Sequence, residues 1–127
     1  MRPPQAIGFY PGSKVELEKM LQKLIDRAEE KEQVRYGVAP HAGYVYSGLA
    51  AATLFKNLKK SREIVILGVD HYGIARDIAI HPYDAWQTPL GEVGVSKKLQ
   101  KKIMAVSYTH LRAHETSLHL VCRLLLE

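Results

Sequence analysis

Apolar positions change their spacing along the chain, and the changes mark out its elements. Between Ser13 and about Lys31 they recur at three and four, at Val15, Met20, Leu21, Leu24, Ile25 and Ala28. One apolar stripe opposite a strongly charged face predicts an amphipathic helix packed on a core. Ser13-Lys14-Val15-Glu16 at its start has the form of a capping box, in which serine and glutamate satisfy each other's orphan amides. Val34–Ala39 and Ile64–Val69 are instead short apolar runs, the second β-branched and almost uninterrupted, as expected of strands covered on both faces. Between them, Leu49–Leu58 predicts a second helix, capped by Ser47 or Gly48, whose Ala50, Ala51 and Ala52 allow close approach to a sheet. A strand, a crossover helix and a strand in that order make the two strands parallel neighbours. The expected fold class is therefore α/β, with a mostly parallel central sheet flanked by helices.

Turn formers and aromatics fill in the remainder. Gly8-Phe9-Tyr10-Pro11-Gly12 traps an aromatic pair between turns, a pattern that docks across a domain surface. Asp77–His81 alternates weakly and predicts a further strand, Trp86-Gln87-Thr88-Pro89-Leu90-Gly91 a rigid turn with an aromatic anchor, and Val93 with Val95 a short strand. Ser96 is placed to cap a last helix beginning at Lys97.

Composition narrows the function classes. A length of 127 residues suits one domain, and no apolar run is long enough to span a bilayer. Met1-Arg2-Pro3-Pro4 lacks the apolar core of a secretory signal, and a single cysteine excludes an internal disulfide framework, so a reducing cytoplasm is the expected location. The net charge of +5 raises nucleic acid as a partner. The lysines (Lys56, Lys59, Lys60; Lys97, Lys98, Lys101, Lys102) fall at helix ends and on polar helix faces, however, where solvation explains them. Neither nucleic acid nor membrane is expected as a partner.

Candidate chemistry lies in two loops, each placing a histidine just after an expected strand: Ala39-Pro40-His41-Ala42-Gly43-Tyr44 and Leu67-Gly68-Val69-Asp70-His71-Tyr72-Gly73. Parallel strands would bring both to one carboxyl edge, where open α/β folds hold ligands. Pro40 ends the strand, and Gly43 admits backbone close to whatever His41 faces. Three roles fit two such imidazoles: metal ligands, an acid/base pair, or buried histidines held by hydrogen bonds. Tyr44 and Tyr46 either bury a ring and bond one partner or donate to a bound oxygen ligand. Asp70 serves as support or loop cap, because adjacent strand side chains diverge, and His81 before Pro82 as a surface or capping residue.

The last stretch changes character. From Val106 to Thr116, and again from Leu120 to Glu127, the chain resembles the read-through translation of a short-read sequencing adapter, with an index at Ser117-Leu118-His119. Residues 106–127 are therefore expected to be a non-native tail. His110, His114 and Glu115 then form a decoy, since H-x-x-x-H-E places no glutamate between the imidazoles as a zinc protease requires. Cys122 among leucines is an inert thiol on the same view.

Taken together, Gly8-Phe9-Tyr10-Pro11, the decapeptide Ala39–Gly48, Leu67-Gly68-Val69-Asp70-His71 and Thr88-Pro89-Leu90-Gly91 resemble the Memo family in order and spacing. The resemblance covers residues 1 to about 105, so the chain is expected to be an amino-terminal, truncated part of a Memo-like α/β domain. It implies a fold similar to the class III extradiol ring-cleaving dioxygenases and a metal-dependent oxidoreductase of that type, with the fragment itself inactive. His41 and His71 match two of three metal-ligand positions, and copper or iron is the implied metal; beside that resemblance, Tyr44 is expected as the catalytic residue, placed by the loop sequence to hydrogen-bond the reduced oxygen. The third ligand is a cysteine further downstream than this chain reaches, a role that Cys122 does not inherit. Gly68-Val69-Asp70-His71 also departs from the family's Gly-Pro-Ser-His or Gly-Pro-Asn-His. A non-enzymatic module binding a peptide or copper is the alternative. The partners implied are a small-molecule or peptide ligand, an AMMECR-type protein and a radical-SAM enzyme.

Overall fold

The computed structural model describes residues 4, 7–69, 71, 79–80 and 82–110, with side chains to residue 106. Five elements follow one another: α1 (Lys14–Arg27), α2 (Tyr44–Asn57), β1 (Ala85–Thr88), β2 (Gly91–Gly94) and α3 (Lys97–His110). The chain divides into two compact units, one from residues 3–60 and 88–91, the other from 61–87 and from 92 onward.

In the first unit α1 packs against α2. The buried stripe of α1 begins at Leu17, only 4% exposed, and continues through the half-buried Met20, Leu21 and Leu24 to buried Ala28. These positions keep the three-and-four spacing of a single helical face, whereas Val15 and Ile25, expected in the core, are exposed. Ser13 has the extended backbone of an N-cap, but its hydroxyl makes no capping bond, so the expected capping box is not formed. The helix also ends at Arg27, four residues early, because Ala28 turns to ψ 137° and leaves the helical region.

Asn57, the last residue of α2, is buried and holds the segment that follows α1. Its Oδ1 accepts the Lys31 backbone N–H at 2.6 Å, and its Nδ2 donates to the carbonyls of Glu29 at 2.8 Å and Thr53 at 2.7 Å. Lys56 Nζ donates to Ala28 O at 3.0 Å and Ile25 O at 3.3 Å, bringing a cation to the carboxyl end of α1, where the helix dipole favours it. One amide and one ammonium thus satisfy backbone groups that the end of α1 leaves over.

The α/β class holds, but the expected parallel sheet does not form among the described residues. The only ladder there is the two-stranded β1–β2 sheet, joined through Pro89 and Leu90. Val34 makes one isolated parallel bridge to Leu58, through Val34 N to Asn57 O at 2.9 Å and Lys59 N to Val34 O at 2.8 Å; Arg35 bends and the rest of Val34–Ala39 joins no ladder. Nor is Ile64–Val69 covered on both faces: Ile64, Ile66 and Gly68 are half-buried, while Val65, Leu67 and Val69 are exposed. An apolar run becomes a strand only when a neighbour supplies the facing amides and carbonyls, and periodicity in one segment does not specify that neighbour. Asp70, His81 and most of Asp77–His81 lie outside the described residues.

The hairpin turn, residues 88–91, is counted with the first unit, and α3 belongs to the second. Gly91, at φ 142°, closes the turn after Thr88-Pro89-Leu90, and Thr88 Oγ1 accepts the Leu90 N–H at 3.2 Å and donates to Gly91 O at 2.8 Å. Ser96 caps α3 as the sequence predicts, its Oγ accepting the Leu99 N–H at 3.3 Å while donating to the Glu63 carboxylate. Val95 and Ala85 are buried here. The helix continues across the boundary expected after residue 105 and ends at His110.

Candidate functional site

His41 is exposed and lies three residues before the first residue of α2. That helix starts earlier than the sequence predicts, at Tyr44 rather than Leu49, with Gly43 as its N-cap instead of Ser47 or Gly48. The physical reason is an acceptor from elsewhere in the chain. The Tyr44 N–H, the first of the helix and without an intrahelical acceptor, donates to the carbonyl of Phe9 at 2.8 Å, and the Tyr46 N–H donates to Gly43 O at 2.9 Å. A Cβ built on Gly43 would find Phe9 O as its nearest neighbour at 3.4 Å, which shows how closely the two backbones approach. Ser47 Oγ donates to Ala42 O at 3.1 Å, so the residues between His41 and the helix are held on both sides.

The aromatic pair of the amino-terminal motif therefore docks on the loop that carries His41. Gly8, at φ 107°, makes the turn; Ile7 and Tyr10 bridge across it, and the Gly8 N–H donates to Tyr10 O at 3.3 Å. The Tyr10 ring meets the half-buried Tyr44 ring with centroids 5.5 Å apart and planes tilted by 42°. For Tyr44 the ring contact is thus the feature in view. Tyr46, for which burial is the expected role, is 89% exposed, since on α2 it falls two residues round from Tyr44 and away from α1. Two sequence motifs separated by some thirty residues form one local structure, and the only hint of it in the sequence is that they occur together.

His71 is exposed as well and belongs to the other unit. Among the described residues no group of three His, Cys, Asp or Glu side chains comes together as a metal site. Imidazole suits copper or iron by donor type, and two of them alone are an incomplete ligand set. His110 ends α3 and His114, Glu115 and Cys122 lie outside the residues whose side chains are described.

The model of the family described as "Memo-like protein" matches residues 2–121. The chain belongs to the Memo-like family. It is 34% identical to a "MEMO1 family protein" of Aquifex aeolicus over 94% of this chain and 48% of that protein. A namesake in Thermococcus onnurineus is 40% identical over 83% of this chain and 38% of its own length, and one in Nitrosopumilus maritimus 35% identical over 90% and 48%. This Memo-like chain thus spans less than half the length of these relatives. No helix among the described residues is long and apolar enough to cross a membrane.

Proposed function

We propose that this chain carries the two-histidine part of a Memo-like metal site, and that a full-length protein of this kind is a metal-dependent oxidoreductase of the extradiol dioxygenase type. His41 and His71 are the imidazole donors and copper or iron is the metal. The observation that supports this most directly is local: the family motifs around Phe9 and His41 pack together, so that His41 stands exposed on a tethered loop at the start of α2. A bound redox metal would supply open coordination positions for dioxygen or a chelating substrate. The chain's own contribution is to present the two imidazoles and, three positions after His41, the Tyr44 hydroxyl as a hydrogen-bond donor. His110, His114 and Cys122 take no part.

The alternative, a non-enzymatic module for a peptide or for copper, draws on the exposed apolar residues flanking the same loop, Val38 at 95%, Tyr36, Val45 and Tyr46. An AMMECR-type protein and a radical-SAM enzyme remain the proposed partners, to be sought by co-purification.

Metal stoichiometry tests the site. His41→Ala and His71→Ala should each abolish stoichiometric copper or iron in a full-length relative carrying the same histidines, and retained metal in the double variant overturns the assignment. Oxygen uptake with catechols then separates enzyme from module: none with any catechol or reductant, together with tight peptide binding, selects the module.

A further inference from the structure

We propose that Tyr10 is a positioning residue for the His41 loop, and that the turn Gly8-Phe9-Tyr10 serves as the amino-terminal cap of α2. The inference deepens the proposed site and rests on His41 being its donor. An α-helix leaves its first amides without intrahelical acceptors; an N-cap side chain reaches the second or third of them, while the amide of the first helical residue, here Tyr44, needs an acceptor from elsewhere. The acceptor comes from Phe9, whose carbonyl reaches the Tyr44 N–H at 2.8 Å.

A single backbone hydrogen bond between two exposed segments would be in competition with water, and its net contribution is about 1 kcal/mol. The Tyr10 ring lying against Tyr44 keeps the two segments in register. The polarity of the arrangement is informative: Phe9 contributes backbone, Tyr10 contributes ring, and both act on the same residue, Tyr44. Two residues, Ala42 and Gly43, separate that anchor from His41, and Ala42 is tied back by Ser47. Short leashes of this kind limit the directions open to the imidazole, as neighbouring groups do for a metal-binding histidine. The ring, not the hydroxyl, makes the contact, so phenylalanine at position 10 should serve as well as tyrosine.

Two measurements on this chain test the role: hydrogen exchange of the Tyr44 amide, and titration with Cu(II) alone. Tyr10→Ala should speed exchange of that amide and weaken copper binding by about tenfold, within the range seen when a supporting contact to a ligand is lost. Tyr10→Phe should restore both. Asn57→Ala, which removes a buried amide at the opposite end of α2 from Tyr44, should lower thermal stability while leaving copper affinity within twofold of the parent. Unchanged exchange and affinity in Tyr10→Ala, or equal weakening by Asn57→Ala, would overturn the proposal. If His41→Ala binds copper as the parent does, the metal assignment falls, and the Tyr44 amide by itself still supports or overturns the positioning role.

Discussion

Gly8 does its work through backbone conformation alone. Its φ of 107° lies where side-chain-bearing residues are strained, and a Cβ there would meet nothing within 4 Å, so steric contact plays no part in the choice of residue. Gly8→Ala is accordingly expected to cost about 1–3 kcal/mol, the usual range for a residue held in a sparsely populated region. Chemical denaturation checks this, and an unchanged midpoint would mean that the turn is not maintained in solution. Because Gly8 delivers the Phe9 carbonyl to Tyr44, the same substitution should also speed exchange of the Tyr44 amide. Asn57 is a different kind of residue: its buried amide replaces backbone partners for Glu29, Lys31 and Thr53, and the sequence offers no pattern that sets it apart from an ordinary polar helix end.

Between elements, Gly48 governs how close α2 comes to α1. A Cβ at this buried position would lie 2.7 Å from Leu24 Cδ1 and 3.4 Å from Leu24 Cδ2 and Tyr44 Cβ. A methyl can be met by rotating the leucine, but a branched side chain cannot. Gly48→Val should therefore destabilise the helix pair by about 1–3 kcal/mol through overpacking; a stability equal to the parent would show that the helices separate freely. In the other unit, Lys97 donates to the Asp84 carboxylate at 2.6 Å, and this bond, with the lysine's charge, holds the Asp84 carboxyl below its ordinary value of 3.8. A carboxyl depressed on folding stabilises the folded form above its unfolded pKa and loses that contribution as pH falls through the lower, folded value. The pair is exposed, so salt screens it. Stability should thus decline below about pH 4 less steeply in Asp84→Asn than in the parent at low ionic strength. The difference should vanish in molar salt; a decline of equal slope at low salt would mean that the pair is not formed.

At the scale of the whole molecule, the described residues bury few large apolar side chains. Leu17 is the one large aliphatic residue fully enclosed beside the smaller Ala28, Ala85 and Val95, while Tyr36, Val38, Leu67 and Val69 face solvent. Exposed apolar surface of this kind invites association. The chain by itself should bind a hydrophobic dye such as ANS and associate with rising concentration, as measured by fluorescence and light scattering. A monomer with a sharp, concentration-independent thermal transition and no dye binding would contradict this. The relatives, more than twice as long, offer the comparison: a full-length protein of the family should bind far less dye per residue.

Sequence alone determined what depends on near neighbours along the chain. The amphipathic stripe of α1, the Ser96 cap of α3, the turn at Thr88–Gly91 and the family motifs were all legible, because each is set by side-chain spacing or by one residue's conformational freedom. Tertiary structure decided what depends on partners distant in the chain. Phe9 moved the start of α2 forward to Tyr44, Asn57 fixed the segment after α1, and Val34–Ala39 and Ile64–Val69 did not become a ladder among the described residues. A strand's hydrogen bonds and a helix's first amides are completed by whichever groups lie opposite them in space, and no local pattern of apolar and polar residues names those groups.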